Sequence, residues 1–485
     1  MTRSRPSTAW TFAITSIALF MVALDNLVVT TALPVIKADL GASLADLQWM
    51  VNAYTLTFAV LLLTGAALGD RFGRKRIFLV GMAIFTGGSA LAALAPSSDV
   101  LILARAIQGV GGAFVTPLTL TILSAAVPPE RRALALGAWG GIAGLAIAIG
   151  PLVGGAIAEG LDWHWIFWLN VPIGLVVMPL AALRLTESHG PEGRLDIPGL
   201  GLISAGLLAV VWGVINGNDL GWTSPQVVGT IGAGAALLVG FLAWEARTAQ
   251  PMLPLGVFRI RAFSSANAVS FLMFFGMFGS VFLLSQFFQV VQGYSPFQAG
   301  LRTLPWTGMP VIVAPIAGVL AGRIGGRPIL ATGMAIQAIA LAWLAIIVTP
   351  TVAYEAMVVP FILAGIGMGL FFAPIANVVL SAVRPEQEGK ASGATNTIRE
   401  VGGVFGVAVL AAVFAANGSY ESPAAYVTGL QPAIALGAVV VGIGALAALF
   451  IPARAGAVGA AGIELELPVA ARVGDTAYAY AEVDA

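Results

Sequence analysis

The chain contains no cysteine, two histidines and only three lysines among its 485 residues. Without thiols there is no disulfide frame, no thiolate metal site and no cysteine nucleophile. His164 and His189 lie far apart and make no metal cluster, so neither a metal nor catalysis is expected. Charge is scarce too: 9% of residues are charged, against about 25% in soluble domains, which excludes a soluble globular fold. No glycine-rich loop ends in Lys-Ser or Lys-Thr, and no polar stretch is long enough for a nucleotide-binding domain. ATP is therefore not expected as an energy source, and no nucleic-acid partner is expected.

What abounds is apolar sequence: 59% of residues are hydrophobic and the mean hydropathy is +0.94. Runs of about 20 apolar residues recur, each long enough to cross a hydrocarbon core of about 30 Å as a helix. Barrel strands would instead alternate over about ten residues. Fourteen spans are predicted: 10–32, 48–69, 77–95, 100–124, 133–157, 164–184, 198–217, 226–245, 264–291, 303–321, 328–348, 355–380, 391–416 and 431–452. Arg3 and Arg5 before the first run have the look of a signal peptide. That run carries Asp25 and has no small-residue cleavage site, so it is kept as a span. The 453–485 tail holds no spanning run and is predicted disordered.

Cations set the orientation. Nineteen of the 23 fall in loops on the side of the two termini, against only Lys37 and Arg302 on the other; Arg105 and Arg399 lie within spans. Both termini are thus predicted cytoplasmic, in a multi-pass protein of the bacterial inner membrane. Residues 105–130 overlay 361–386 at an offset of 256, matching Gly109/Gly365, Gly111/Gly367 and Glu130/Glu386. Gly65, Gly69, Gly73 and Arg74 find Gly318, Gly322, Gly326 and Arg327 at an offset of 253. The predicted fold is an all-α polytopic membrane protein of two parallel six-helix bundles, 1–184 and 264–452. They are joined by a linker at 185–197 and an insertion of two helices at 198–245, expected to lie outside the transport core. Parallel repeats of this kind build transporters whose substrate site lies between the halves.

Buried charge carries the sharpest chemical signal, because ionisable groups inside a bilayer are costly and usually functional. Asp25 in the first span and Arg105 in the fourth reach similar depths near the outer side, so they can pair. A ligand that displaced the arginine would leave the carboxylate in a low dielectric, which favours its protonation. That would exchange a proton for a substrate; a static pair that only fixes packing is the alternative. Arg399 and Glu400 sit within the thirteenth span but, being adjacent, point to different faces. In the fifth span, Gly140/Gly144 and Gly150/Gly154 are small-xxx-small pairs that permit close backbone approach, and Pro151 bends the helix. Phe275, Phe278, Phe282, Gln286 and Gln289 share one face of the ninth span, suited to an amphiphilic ligand unless the rings face lipid. Asn26, Tyr54, Gln108, Trp139, Asn377 and Asn396 complete the candidate substrate-binding set with Phe278, Phe282, Gln286, Gln289 and Arg399. Trp163, Trp165 and Trp168 fit an interfacial aromatic belt.

These segments resemble the fourteen-span drug:proton antiporter family of the major facilitator superfamily. Gly65–Arg76 is similar to that superfamily's loop between spans 2 and 3, and Leu24–Pro34 to the family's first-span motif. Arg105–Gly109 is similar to the fourth-span proton motif, and Gly150, Pro151, Gly154 and Gly155 to the antiporter motif of span 5. Trp163–Pro172 is similar to the family's entrance to span 6. The second half matches through the repeat, Gly293–Pro296 and Asn396–Arg399. The resemblance implies alternating access driven by the proton gradient, with substrate moving outward; small amphiphilic substrates, no cofactor and a monomer are expected. It implies that Asp25 takes the proton and Arg105 is its electrostatic partner. Gly69, Asp70, Arg71, Gly73, Arg74 and Arg76 are implied to form a cytoplasmic gate with Glu130 and the start of span 13. Position 26 holds Asn where Thr or Ser is usual, and Glu400 stands where an amide is expected. Span 12 has no acid deep inside, only Glu355 at its mouth, which disfavours divalent cationic drugs. An exporter dedicated to one endogenous metabolite stays open, as, more remotely, does a non-transporting receptor or scaffold.

Overall fold

Glycine and serine punctuate the long apolar helices. The computed structural model describes residues 8–190, 195–248, 251–253, 255–384 and 388–452, without the side chains at 129–134, 136, 137 and 389. Arg3, Arg5, the Glu130 side chain and the 453–485 tail lie outside the described residues. Fourteen helices are long and apolar enough to cross a membrane. They are α1 (Thr8–Leu40), α2 (Leu44–Phe72), α3 (Arg74–Ala93), α4 (Ser98–Ala126), α5 (Ala138–Gly160), α6 (Trp165–Arg184) and α7 (Ile197–Leu220). The rest are α8 (Pro225–Glu245), α9 (Arg261–Val290), α10 (Pro296–Ile324), α11 (Gly326–Ile347), α12 (Tyr354–Ser381), α13 (Lys390–Asn417) and α14 (Pro423–Ala448). No strand occurs among the described residues.

Ser43, Ser97, Ser224, Ser295 and Ser422 cap α2, α4, α8, α10 and α14, each accepting from the amide three residues on. Such a cap contributes about 1 kcal/mol. All five lie on the face opposite the 69–76 loop, called here the arginine-poor face. On the arginine-rich face a single residue, Gly73 at φ +108°, separates α2 from α3. Its counterpart between α10 and α11 is Gly325 at φ +87°, not Gly326 as the sequence overlay has it. α1 also runs on past Ala32 to Leu40, because hydropathy marks the apolar layer and not the helix end. Asp25 therefore sits near the middle of the helix.

The repeat is visible in the packing. A Cβ at Gly109 would strike Tyr54 of α2, and one at Gly111 would strike Phe85 of α3. In the second half, Gly365 meets Trp306 of α10 and Gly367 meets Gly333 and Gln337 of α11. Each half thus wedges its fourth helix between its second and third by glycine contacts.

The halves meet along α1–α9, α2–α13 and α5–α10. At the arginine-poor face the last of these is tight. Gly155 abuts Pro296, Gly300 abuts Pro151, and Thr307 Oγ1 donates to the Ala148 carbonyl at 2.9 Å. Towards the arginine-rich face α5 and α10 part: among the described residues nothing lies within 4 Å of a Cβ at Gly140, Gly141 or Gly144. Ile316 and Val319 of α10 are 62% and 64% exposed there. Of the two glycine pairs expected to pack in α5, only the one at 150 and 154 does. The other faces open space because this state is closed at the opposite end.

The inserted helices are not remote from the rest. α7 lies along the seam between the halves, with Leu207, Val211 and Ile215 against Leu56 and Val60 of α2 and Val404 and Ala408 of α13. Asn218 Nδ2 donates to the Ala412 carbonyl at 2.6 Å.

Candidate functional site

Asp25, mid-way along α1, is the centre of a fully buried polar network. Arg105 of α4 donates through Nη1 to Asp25 Oδ2. Two amides donate to the other oxygen, Gln108 Nε2 at 3.1 Å and Asn170 Nδ2 at 2.7 Å. Around this core Arg105 Nη1 also donates to Gln108 Oε1 at 2.9 Å, Arg105 Nε to the Met50 carbonyl at 3.2 Å, and Gln108 Nε2 to Ser89 Oγ at 2.8 Å. The guanidinium lies over the Tyr54 ring, 4.3 Å from its centroid, and Tyr54 donates its hydroxyl to the Val22 carbonyl at 3.1 Å. Five helices, α1 to α4 and α6, thus converge on one carboxylate. Breaking one partner of such a buried pair costs about 3–5 kcal/mol, so it opens only when another change compensates.

Two of the candidate substrate residues are corrected by this geometry. Tyr54 and Gln108 are buried in the Asp25 network and are not free to meet a ligand. Asn170, near the start of α6, joins the network through a contact 145 residues away in the chain, which no sequence signal marks.

The stripe on α9 is buried and does not face lipid. Phe282 and Gln286 are inaccessible, and Tyr420 donates to Gln286 Oε1 at 2.6 Å. Gln289 Nε2 donates to the Thr31 carbonyl at 2.8 Å, from one half to the other. These glutamines therefore help close the arginine-poor face. Glu159 joins them, accepting from Ser295 Oγ and from the Phe297 amide at 3.0 Å. Lys37 lies 4.3 Å over the Tyr420 ring.

Deeper in, Arg399 rests 4.4 Å over the Phe274 ring, and its Nη1 donates to Asn396 Oδ1 at 3.1 Å. Phe274 stacks on Phe278 at 5.5 Å, which brings Phe278, Arg399 and Asn396 into one group. Arg399 Nε and Glu400 Oε2 are buried without a hydrogen-bond partner among the described residues. Asn26 is half-buried beside Asp25, and its side chain makes no hydrogen bond among the described residues. Trp139 Nε1 donates to Thr119 Oγ1 at 3.2 Å, while Asn377 is exposed and apart from the group.

In the 69–76 loop, Asp70 accepts from Arg74 Nε at 2.8 Å. It does not reach the start of α13 among the described residues, as the gate expectation had it, because Arg74, the first residue of α3, offers a cation just across Gly73. The carboxylate that caps a helix here is Glu187, which accepts from the amides of Lys75 at 2.9 Å and Arg76 at 3.2 Å. The linker chain is held as well: Arg74 N donates to the Ser188 carbonyl at 2.9 Å and Gly190 N to that of Asp70 at 3.1 Å.

Residues 15–407 match the family model of the Major Facilitator Superfamily. The chain belongs to this superfamily. It is a fourteen-span member: a membrane transporter of small molecules, not an enzyme. The superfamily fold is also seen in a POT family transporter solved with 5-aminolevulinic acid, with a TM-score of 0.68 at 14% identity, covering 92% of this chain and 96% of that one. Among curated relatives, the tetracenomycin C resistance and export protein of Streptomyces glaucescens is 34% identical, over 86% of this chain and 77% of its own. The cephamycin export protein CmcT of Amycolatopsis lactamdurans is 39% identical, over 87% of this chain and 88% of its own. In this superfamily member the Asp25 network lies wholly within the first half, whereas the Arg399 group lies wholly within the second.

Proposed function

We propose that this chain is a proton-coupled antiporter that exports hydrophobic or amphiphilic antibiotics and drugs from the cytoplasm by alternating access. The observation that carries the reading is Asp25, an ionisable group in the membrane interior whose salt-bridge partner, Arg105, comes from another helix. Such a pair, once parted, gives a carboxyl group that gains a proton and an arginine that needs a new anion or dipole. Substrate binding at the Phe278–Arg399–Asn396 group rearranges the halves, and Asp25 exchanges its proton as Arg105 moves. Relatives with antibiotic-export names support the substrate class. The arginine-rich face is cytoplasmic, so the state described is open to the cytoplasm and closed outside. Gly69, Asp70, Arg71, Gly73, Arg74 and Arg76 form the cytoplasmic gate, clamped by Glu187.

The test uses inside-out vesicles carrying a proton gradient, to which a panel of amphiphilic antibiotics and dyes is added. Wild type should release protons on addition of substrate, and Asp25→Asn should not. Unchanged proton release in Asp25→Asn refutes the coupling role. A second reading, export of one endogenous compound, is favoured by relatives whose names each give a single antibiotic. It predicts that one member of the panel moves and unrelated dyes do not.

A further inference from the structure

A second chamber lies beside the transport core, between it and the inserted helices. It has a volume of about 240 Å³ and is lined by Leu63 of α2, Leu207 of α7, Phe241 of α8, Phe271 of α9, Ile398 of α13 and Leu253 of the following segment. The lining is apolar except for Thr397, whose hydroxyl is committed to the Ala59 carbonyl at 3.1 Å. Counting residues from the helix ends at 1.5 Å each puts the chamber about 5–18 Å from the arginine-rich face, within the leaflet on that side. Towards the other face it is shut by the packing of Val211 and Ile215 on Val404 and Ala408. Its floor is held from below: buried Glu245 accepts from the Leu253 amide at 3.0 Å.

One helix separates this chamber from the candidate substrate group. At 100° per residue, Ala394, Thr397, Ile398 and Val401 share one face of α13, and Asn396 and Arg399 point the opposite way. Aromatic rings also lead from one side to the other. Phe271 packs against Phe275 at 6.4 Å and Phe405 at 6.2 Å, and Phe275 begins the stripe that continues to Phe278.

We propose that this chamber binds uncharged, ring-sized lipophilic molecules taken from the arginine-rich-side leaflet, and that the inserted helices exist to form it. This rests on the exporter reading and names the route by which membrane-dissolved substrates reach the site. Size sets the ligand class: apolar cavities of about 150 Å³ take up benzene, so this one holds one or two fused rings. A two-chain lipid does not fit. The absence of a free polar group among the described lining residues disfavours ions and zwitterions in the chamber, and these would use the open cleft between α5 and α10 instead.

The test uses purified protein in phosphatidylethanolamine–phosphatidylglycerol vesicles and an uncharged naphthyl-diazirine photolabel, with adducts mapped by mass spectrometry. Export of prodan (an uncharged, lipophilic dye of two fused rings) and of a water-soluble zwitterionic antibiotic is measured in parallel. Labelling should fall on α7 and α13 and be competed by prodan. Leu207→Trp and Leu63→Trp, which fill the chamber, should raise KM for prodan about tenfold and leave the zwitterion's within about twofold. Leu208→Trp, on the lipid-facing side of the same helix, should change neither. Equal shifts for both compounds would mean a packing defect and overturn the proposal, as would labelling that prodan fails to compete. Wild type that moves neither compound sinks the broad-substrate exporter reading on which the chamber's role as a route rests. Wild type that moves both, with unchanged chamber variants, sinks only the chamber.

Discussion

Asn170 donates its amide hydrogen to Oδ1 of Asp25 at 2.7 Å, tying α6 to α1 through a fully buried acid. Hydrogen bonds to charged groups contribute about 1.5–3 kcal/mol. Asn170→Ala should therefore lower stability by about 2 kcal/mol in a thermal melt and slow transport about tenfold or more. Asn170→Asp should abolish transport, because two carboxylates would then compete for one arginine. Wild-type transport by Asn170→Ala at wild-type stability would show that Arg105 and Gln108 suffice.

Much of this was legible in the sequence. Fourteen apolar runs give fourteen helices, and the depth of Asp25 and Arg105 along their spans is enough to pair them. Asn170 and Glu187 were not legible, since each acts through a contact more than 100 residues away in the chain. Tyr54 and Gln108 are polar residues in spans, as substrate ligands are, and only packing shows that their polar groups are already committed. The α5 glycines carry the same spacing at both ends. Which pair packs depends on which face is closed, and spacing holds no information about that.

That difference gives a second prediction. Gly155→Val places a side chain against Pro296 and Phe297, so the arginine-poor face should fail to close. Gly140→Val meets nothing among the described residues in the present state and should leave that face closed. The cysteine-free chain is a ready background for the measurement. Spin labels on Glu159→Cys and Ser295→Cys should move apart in Gly155→Val and stay together in Gly140→Val. A short label distance in Gly155→Val would contradict the packing argument.

Glu187 supplies the third. Its carboxylate caps the first turn of α3 from the linker and accepts the Lys75 and Arg76 amides. Losing such a cap costs about 1 kcal/mol, or about a fivefold rise in local opening. Hydrogen exchange at those two amides should rise by that factor in Glu187→Ala and much less in Glu187→Gln, which keeps one acceptor. Equal protection in all three proteins would remove the linker from the gate.

Pro34 lies inside α1 and has no amide hydrogen, so the carbonyl of Thr30, four residues back, lacks its helical donor. Ser285 of α9 supplies one from the other half, donating Oγ to the Thr30 carbonyl at 3.2 Å. A proline in one half has thus created the acceptor that helps hold the other half closed. Ser285→Ala should orphan that carbonyl and weaken the closed face by about 1–3 kcal/mol. Adding Pro34→Ala restores an amide within the helix, satisfies Thr30 and should recover part of the loss. The pair should therefore be non-additive in a double-mutant cycle by about 1 kcal/mol, read as the fraction of molecules with a short 159–295 label distance. Additive losses would mean that Ser285 contributes by packing alone. Recovery would show that closure at this face depends on a backbone carbonyl left without its own helical donor.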